Sequence, residues 1–425
     1  MADTNTDTTN MRLPTGTTTI SISDSNNHKN FDNFELSKQL LKGIYRYGWE
    51  KPSPIQESAI PVFIKDVYQV EGEPIKNKKD IIAQAQSGTG KTGAFLISTL
   101  HNLKLDESGT QAIIISPTRE LATQTHNVCT QISSFMQNSS KQPICQLFVG
   151  GNFRKDDQAK FKKDVKVVIG TPGRIIDMIK SMSLQTNTVK MLILDEADDL
   201  LSSGFCDQIH EVFSFLPKNI QVGLFSATMP NEVLLLTNRF MREPVRFLKE
   251  REELSLKGIT QYQIQLPPDE RPPDEIKLEI LFDIYSKMEI AQAVIFCNMR
   301  RKVEYLAQKL KSKDFSCVTM HAEMPKQERE RVMKLFRAGE SRILAATDVL
   351  ARGIDVHHVS VVLNFDIPSN KENFLHRSGR AGRFGRKGVT INLVSEKEVD
   401  LIKDIEDHYS ITIDTLPNDF EKALS

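Results

Sequence analysis

The sequence predicts an α/β fold made of two doubly wound parallel sheets in tandem. Short apolar runs alternate with helical stretches, and each run ends at a polar or glycine-containing motif. This alternation is typical of parallel sheets, whose ligands bind beyond the carboxyl ends of the strands. The pattern occurs twice, and a chain of 425 residues exceeds the size at which a single core keeps growing. Two domains are therefore expected.

Composition sets the expected domain boundaries. Residues 1–30 are mostly Thr, Asn, Ser and Asp, which cannot bury enough apolar surface to offset the entropy of ordering, so a disordered tail is predicted. The first domain is expected at residues 31–248, a short charged linker at 249–258 and the second domain at 259–425. Residues 66–79 are polar and predict a long surface loop.

The first elements are predicted to be helices. Apolar residues recur at helical spacing between Phe34 and Tyr47, with Ser37 as a candidate N-cap and Gly48 as the end of the helix. A second helix is expected at Glu57–Ile64.

Strands are predicted where the apolar runs occur. In the first domain they are expected at Ile81–Ala83, Ala112–Ser116, Ile144–Val149, Val165–Ile169, Met191–Leu194 and Val222–Phe225. In the second domain they are expected at Val294–Phe296, Val318–Met320, Ile343–Ala345 and Val361–Phe365, with helices over Lys302–Lys311 and Gln327–Ala338. Because parallel strands end at the same edge of a sheet, the motifs that follow them are expected to converge.

A glycine-rich loop follows the first of these strands. Its pattern, A-Q-S-G-T-G-K-T, fits a nucleotide-phosphate loop, in which backbone N–H groups surround the phosphates. Lys91 is expected to reach the β and γ phosphates and Thr92 to bind Mg²⁺, while the helix that begins near Lys91 adds its positive end. A glycine-rich turn without a ligand is the alternative. The strand before the loop favours an ATP or GTP site.

The motif D-E-A-D follows the predicted strand at Met191–Leu194. Asp195 is the candidate Mg²⁺ ligand, Glu196 is expected to orient the attacking water, and Asp198 is expected to bond to the S-A-T strand. The alternative is a solvated acidic start of a helix. The position after a strand, downstream of the phosphate loop, favours the catalytic interpretation.

Positive charge for the γ-phosphate is expected from the second domain. The segment that begins at His376, H-R-S-G-R-A-G-R-F-G-R, carries arginines three residues apart with glycines between them. Arg380 and Arg383 are candidate arginine fingers, and Asp355 is a candidate for binding the ribose. A basic patch that binds phosphate without specificity is the alternative.

Composition excludes several classes of protein. With 55 basic and 55 acidic residues the formal net charge is zero, so any nucleic-acid binding must be local. The five cysteines have no CxxC spacing, which argues against a zinc site or a disulfide framework. No apolar run approaches the roughly 20 residues of a membrane span. A soluble cytoplasmic protein is expected, with the nucleus as the alternative location.

The ordered motifs resemble those of the DEAD-box ATP-dependent RNA helicases, from Phe31 almost to the C-terminus. They are G-W-E-K-P-S-P-I-Q, A-Q-S-G-T-G-K-T, P-T-R-E-L-A, G-G, T-P-G-R, D-E-A-D, S-A-T, V-I-F-C-N, A-T-D-V-L-A-R-G-I-D and H-R-S-G-R-A-G-R. The resemblance implies two RecA-like domains, the cofactors ATP and Mg²⁺, and RNA-dependent ATP hydrolysis that separates short duplexes or remodels RNA–protein complexes. Segments such as F-D-N-F-E-L-S are most similar to the helicase of the cap-dependent translation initiation complex. That similarity implies a monomer with RNA and a scaffold protein as partners.

The same resemblance assigns roles to individual residues. Those implied for ATP binding are Phe31, Gln56, Ser87, Gly88, Thr89, Gly90, Lys91, Thr92 and Asp355. Those implied for RNA binding are Thr118, Arg119, Gly151, Thr171, Arg174, Thr347 and Asp348. Those implied for coupling the ATP site to RNA are Asp198, Ser226, Thr228 and His376. Gln56 is expected to read the adenine edge with Phe31 or Trp49 nearby, and backbone contacts carry little sequence information, so RNA choice is expected to be loose.

The chain also departs from the family pattern. Residues 66–79 and 267–275 are longer than in the translation factor, and Trp49 stands where the family has Phe. Lys326 replaces a Gln, which leaves the RNA contact there open, while Arg329 keeps its place. Two other functions stay open: an ATP-gated RNA clamp of the exon-junction type and a DNA-directed motor. Measurements of turnover and strand release separate the clamp from a helicase, and competition between RNA and DNA tests the motor.

Overall fold

The computed structural model describes most of the chain. The described residues are 19–21, 30–65, 67–70, 73–76, 79–86, 88–137, 142–202, 204–237, 240–248, 259–288, 290–349, 359–381 and 388–417. The predicted linker at 249–258 lies outside them.

The first half of the chain alternates strands and helices. Its strands are β1 (Thr19–Ser21), β2 (Val67–Val70), β3 (Glu73–Lys76), β4 (Ile81–Gln84), β5 (Ala112–Ile115), β6 (Cys145–Phe148), β7 (Val167–Gly170), β8 (Met191–Asp195), β9 (Gln221–Ser226) and β10 (Val245–Leu248). Its helices are α1 (Lys38–Tyr47), α2 (Pro54–Ile64), α3 (Lys91–His101), α4 (Arg119–Ile132), α5 (Arg154–Lys160), α6 (Pro172–Lys180), α7 (Ala197–Ser202), α8 (Cys206–Phe215) and α9 (Asn231–Thr237), with a 3₁₀ turn at Phe31–Phe34.

The second half repeats the alternation. Its strands are β11 (Ile259–Gln265), β12 (Ala293–Phe296), β13 (Cys317–Met320), β14 (Ile343–Ala346), β15 (Val361–Asn364), β16 (Gly388–Val394) and β17 (Asp414–Thr415). Its helices are α10 (Pro273–Lys287), α11 (Arg300–Lys311), α12 (Lys326–Arg337), α13 (Lys371–Ser378) and α14 (Val399–Tyr409), with a 3₁₀ turn at Glu396–Glu398.

The predicted fold class is confirmed, because the described strands other than β2 and β3 form two fully parallel sheets. The first sheet has the order β1-β10-β4-β9-β8-β5-β7-β6 and the second β13-β14-β12-β15-β16-β11-β17. In the first sheet β4, β9 and β8 are adjacent, although β5, β6 and β7 separate β4 from β8 along the chain. The loops that follow these three strands therefore meet at one edge, as expected for a doubly wound sheet.

Helices cover both faces of each sheet. Successive residues of β4 point to opposite sides: Ile81 lies in a core cluster with α1 to α4, and Ile82 in a separate cluster with α6 to α8. In the second sheet Ile295 and Val294 of β12 divide in the same way between two further clusters. A strand buried on both faces must be apolar at every position, and this explains the unbroken apolar runs of the sequence.

The N-terminal helix has the predicted boundaries. The Ser37 hydroxyl accepts the Leu40 N–H, and Gly48 ends α1 with a φ angle of +98°. The left-handed conformation at Gly48 lets its N–H bond back to the last turn of the helix, and glycine adopts it without a Cβ penalty.

Two expectations about the N-terminal half are wrong in part. The predicted disordered tail at residues 1–30 contains β1, whose β-branched run pairs in parallel with β10, so its backbone groups gain partners in the sheet. The rest of residues 1–29 lies outside the described part. The expected surface loop at 66–79 contains an antiparallel hairpin, in which β2 pairs with β3. Its Val, Tyr and Ile residues favour strands despite the polar residues between them.

Several strands were absent from the sequence-based prediction: β10, β11, β16 and β17. β11 has the sequence I-T-Q-Y-Q-I-Q, so its apolar residues alternate with polar ones instead of forming a run. β16 contains Thr390 and Asn392, both fully buried, and Asn392 Nδ2 donates to the Tyr262 carbonyl at 2.8 Å. A buried polar side chain with hydrogen-bond partners, such as that of Asn392, is compatible with a central strand. Thr390 and Asn392 both interrupt the apolar signal.

No helix in the described ranges is long and apolar enough to span a bilayer.

We predict that Gly43→Ala lowers the free energy of unfolding by about 2 kcal/mol. α1 packs on α4 at this position, where a methyl group would lie only 1.7 Å from the Ile132 carbonyl oxygen. Helix propensity alone would favour Ala over Gly by about 1 kcal/mol, so the sign of the measured effect tests the packing. Urea denaturation measures it, with Lys42→Ala on the exposed side of α1 as the matched control. If Gly43→Ala stabilised the protein as well as Lys42→Ala, the close approach of α1 and α4 would be contradicted.

Candidate nucleotide site and interdomain cleft

The glycine-rich loop connects β4 to α3 at the carboxyl edge of the first sheet. Gly88 and Gly90 have φ angles of +82° and +103°, in the left-handed region that glycine adopts freely. Lys91 begins α3 and is buried, and its ammonium donates to the carbonyl oxygens of Ala85 and Gln86. The loop therefore closes around the Lys91 side chain, beside the N–H groups that the first turn of α3 leaves unpaired.

Two carboxylates follow at the end of β8. Asp195 is the last residue of the strand, and Glu196 has a φ angle of +50°, which is uncommon for a residue with a Cβ. The Glu196 N–H donates to Asp195 Oδ1 at 3.1 Å. Asp195 Oδ2 and Glu196 Oε2 are buried and have no hydrogen-bond partner among the described residues. These two oxygens are therefore available to a cation or a water molecule.

The buried charges around Lys91 perturb one another. Burial, together with the charge of Glu196, raises the pKa of Asp195 to about 8, although Lys91 opposes the shift. Burial also lowers the pKa of Lys91, and the carboxylates of Glu196 and Asp195 oppose that shift. A divalent cation would favour the ionised carboxylates, and Mg²⁺ prefers oxygen ligands. The free carboxylate oxygens of Asp195 and Glu196, together with the hydroxyl of Thr92, the residue after Lys91, therefore fit Mg²⁺.

Asp198 joins three segments of the chain. Its carboxylate accepts hydrogen bonds from Ser226 Oγ and Thr228 Oγ1, both at 2.5 Å, at the end of β9. His376 Nε2, on α13, lies 3.3 Å from Asp198 Oδ2, and all four side chains are buried. Ligand atoms of Glu196, Asp198 and His376 lie within 4.8 Å of one another. Because hydroxyl groups already occupy both Asp198 oxygens, we interpret the cluster as a hydrogen-bonded junction rather than a second metal site.

Arg380 comes from the same part of the second domain as His376. Its side chain is 1% exposed, and its Nε donates to the His376 carbonyl at 3.1 Å. The charge of Arg380 contributes to the lowered pKa of Lys91, so the guanidinium lies within electrostatic range of the ammonium. Three further predicted residues lie outside the described part of the chain: Ser87, Asp355 and Arg383.

Gln56 lies against the phosphate loop. Its Nε2 donates to the Gly90 carbonyl at 3.0 Å and its Oε1 accepts the Ser53 N–H at 3.0 Å, so both ends of the amide have partners. A methyl group at Gly93 would lie 2.4 Å from Gln56 Nε2 and 3.0 Å from the Trp49 ring. Gln56 and Trp49 are therefore adjacent to the start of α3, and the adenine contact of Gln56 stays a prediction.

Phe31 was expected to pack near the base. The structure places it in the core, fully buried, with ring centroids 6.2 Å from Phe34 and 6.4 Å from Tyr45. It offers no surface to a ligand in this arrangement because neighbouring core side chains cover it. Trp49, the other aromatic candidate, is half-buried.

The candidate RNA-binding residues of the first domain lie on the loops and first helical turns that follow the carboxyl ends of its strands. Thr118 caps α4 by accepting a backbone N–H at 3.2 Å, and Arg119 is the first residue of that helix. A methyl group at Gly151 would lie 3.0 Å from Arg119 Nη1, so the guanidinium rests on the glycine pair. Thr171 stands at the start of α6. The predicted residues are therefore brought together by the parallel sheet.

Arg174 is held by the segment that follows the glycine pair. Its Nη1 donates to Asp157 Oδ2 at 2.6 Å and its Nη2 to the Asn152 carbonyl at 2.8 Å. Asp157 is fully buried and also accepts from Lys160 at 2.7 Å. Two cations thus compensate one buried carboxylate, which fixes the Arg174 guanidinium.

In the second domain Asp348 is an anchor for Arg377, a residue that the sequence did not single out. Arg377 is fully buried, and its Nε and Nη2 donate to the two Asp348 oxygens at 2.5 and 3.0 Å. Arg377 also donates to Asn298 Oδ1 at 2.7 Å. Thr347 precedes Asp348, directly after β14. The sequence signal for Arg377 was its place as the first of the arginines spaced three residues apart in the segment that begins at His376.

A second contact joins the two domains. Arg329 Nη1 on α12 lies 2.9 Å from Glu120 Oε1 on α4, and the two side chains are 7% and 17% exposed. From the sequence, Arg329 was expected only to contact RNA, and no role was predicted for Glu120 within P-T-R-E-L-A. Their opposite charges were visible in the sequence, but their proximity depends on the arrangement of the two domains.

The site and the fold define a class of protein: the chain belongs to the DEAD/DEAH box helicase family. Residues 53–236 match the model described as DEAD/DEAH box helicase, and residues 276–385 match the helicase conserved C-terminal domain. The family prediction is confirmed.

The chain is also similar to two relatives over most of its length. "Probable eukaryotic initiation factor 4A" of Trypanosoma cruzi (strain CL Brener) is 51% identical over 394 residues, covering 93% of each chain. "ATP-dependent RNA helicase eIF4A" of Scheffersomyces stipitis is 48% identical over 389 residues, covering 92% of each chain.

Solved structures of yeast Dbp5 resemble the chain to different degrees. S. cerevisiae Dbp5 bound to RNA and ADP BeF3 matches with a TM-score of 0.83 at 33% identity, covering 93% of this chain and 98% of that one. A Dbp5 variant bound to Nup159, a Gle1 variant, IP6 and ADP gives a TM-score of 0.60 at 32% identity, with coverages of 90% and 96%. The sheets of this chain are therefore arranged more like those of Dbp5 with RNA and ADP BeF3.

We predict that Glu120→Ala and Arg329→Ala each reduce domain closure by about tenfold or more, because each leaves the other charge buried without its partner. Energy transfer between dyes on the two domains, with an ATP analogue and RNA present, measures the closed population. Arg331→Ala, on the exposed side of α12, is the matched control. If the effects of the two substitutions on domain closure were additive in the double variant, a direct contact between Glu120 and Arg329 would be contradicted.

Proposed function

We propose that the protein is an RNA-dependent ATPase of translation initiation that separates short RNA duplexes or remodels RNA–protein complexes. The observation that carries this proposal is the Asp198–His376 contact, which links the nucleotide side of the first domain to the second domain. The names of the relatives, eukaryotic initiation factor 4A, support the pathway.

In the proposed ATP site the phosphates lie on the loop around Lys91. Lys91 would move its ammonium from the carbonyl oxygens of Ala85 and Gln86 to the β and γ phosphates. Thr92 and Asp195 would hold Mg²⁺, which supplies a Lewis acid for the phosphate charge when it is bound. Glu196 would orient the attacking water through the oxygen that has no protein partner.

The second domain completes this site in the proposed mechanism. Arg380 and Arg383 would stabilise charge that develops on the γ-phosphate, and Asp355 would bind the ribose. Gln56 would select adenine, with Trp49 better exposed than Phe31 for contact with the base. Full assembly of the site would therefore require closure.

RNA binding would favour closure because both domains contribute to its surface. The candidate contacts are Thr118, Arg119, Gly151, Thr171, Arg174, Thr347 and Asp348. The Asp198 junction with Ser226, Thr228 and His376 would transmit closure to the catalytic carboxylates. A strand held along a bent path cannot stay paired in an A-form helix, so closure would open a few base pairs. Hydrolysis would then release the strand.

We expect the chain to act as a monomer in the cytoplasm, with a scaffold protein of the initiation machinery as a partner. The similarity to eukaryotic initiation factor 4A over almost the whole chain supports this part of the proposal.

Single-stranded RNA is expected to increase ATP turnover by about tenfold or more, because the arginines of the second domain reach the phosphates only in the closed form. Steady-state phosphate release measures the effect, with single-stranded DNA of the same sequence as the control. Equal rates with and without RNA would refute the RNA-dependent ATPase. Equal stimulation by DNA would favour a DNA-directed motor.

Lys91→Ala and Glu196→Gln are expected to abolish turnover in different ways, each by about a hundredfold or more. Lys91→Ala removes a phosphate contact, so ATP affinity should fall. Glu196→Gln keeps the shape of the side chain, so ATP and RNA should stay bound in the closed state. Binding of a fluorescent ATP analogue, measured with and without RNA, distinguishes the two. Identical binding by both variants would contradict the separate roles.

A further inference from the structure

Phe153 exposes a large apolar side chain directly beside the candidate RNA surface. Its exposed fraction is 83%, compared with 77% for Met182 and less for the other exposed large apolar residues in the described ranges. Phe153 belongs to none of the core clusters. Isolated apolar residues on a surface are ordinary, so exposure alone implies nothing. The inference depends on the position of Phe153 and on the hydrogen bonds that constrain its backbone.

The backbone around Phe153 is tied on both sides. The carbonyl of Asn152, the preceding residue, accepts from Arg174 Nη2 at 2.8 Å. The carbonyl of Phe153 itself accepts the N–H groups of Asp156 and Asp157 at 3.2 and 3.3 Å. The aromatic ring therefore projects from a fixed point of the backbone, so little conformational entropy is lost when it binds a ligand.

Three arginines surround the backbone segment of Phe153, and two of them, Arg119 and Arg174, are proposed to grip RNA phosphates. Arg119 rests on the glycine pair two and three residues before it, and Arg174 contacts the residue before it. Arg154, the next residue, pairs with Asp177 at 2.9 Å and keeps a side chain that is 54% exposed. An exposed ring among cationic groups fits a single strand, whose phosphates take the cations and whose bases take the ring.

We propose that Phe153 stacks on a base of single-stranded RNA bound to the first domain. The inference rests on the proposed function and deepens it, because the other candidate contacts of this domain address the RNA backbone. Every base has a π face, so stacking adds affinity without strict sequence preference. Phe153 is a binding residue in this proposal and takes no part in ATP hydrolysis.

The test measures the affinity of the full-length protein for a fluorescent single-stranded RNA in the presence of an ATP analogue. Phe153→Ala is expected to weaken binding by about tenfold, whereas Phe153→Trp is expected to retain it. An RNA of equal length without bases should bind wild type and Phe153→Ala alike. The slope of affinity against salt should stay unchanged in Phe153→Ala, because no phosphate contact is lost.

Met182→Ala is the matched control, since Met182 is similarly exposed in the same domain but lies beyond the far end of α6. Wild-type affinity in Phe153→Ala, together with weakened binding in Arg119→Ala, would overturn the stacking and leave the RNA surface intact. Equal losses on RNA with and without bases would also overturn it, since the contact would then be to the backbone. If the wild type bound no RNA, the proposed function itself would fail.

Discussion

The site depends on the mutual compensation of buried charges at the carboxyl edge of the first sheet. Lys91 shares this buried space with Asp195, Glu196 and Asp198. Removing a single charge from water without a partner costs several kcal/mol, so each of these groups is tolerated only beside the others. The loops after β4, β8 and β9 must therefore meet, and adjacency of these strands in the sheet ensures that they do.

Within this buried group the carboxyl groups outnumber the ammonium, and the second domain places a guanidinium and an imidazole close to the same side chains. Arg380 acts on Lys91 through space, and His376 contacts Asp198. A nucleotide with its cation would alter the same balance of charge. Ligand binding and domain closure then act on a common set of side chains, which is the physical requirement for energetic coupling between the ATP site and the RNA surface.

Much of the fold could be predicted from the sequence because its signals are local. The strand β5, predicted at Ala112–Ser116, is found at Ala112–Ile115, and the capping of α1 by Ser37 is as expected. Strands without an apolar run were missed: β11 alternates polar and apolar residues, and β10 carries the buried Arg246. The predicted phosphate-loop, carboxylate and RNA-binding residues of the first domain converge because each follows a strand of one parallel sheet, a rule that needs no knowledge of distant contacts.

The contacts between the domains cannot be predicted from local sequence signals in this way. Two of the partners of Asp198, Ser226 and Thr228, follow from strand adjacency alone, whereas His376 lies 178 residues away in sequence and was suggested only by family resemblance. The pair of Glu120 and Arg329 was missed for the same reason, although Glu120 lies in the motif P-T-R-E-L-A and Arg329 keeps its place in the family pattern. A motif specifies which side chain stands at the edge of a sheet. Which side chain faces it across the cleft depends on the relative orientation of the domains, and that orientation is the variable that ligands would control.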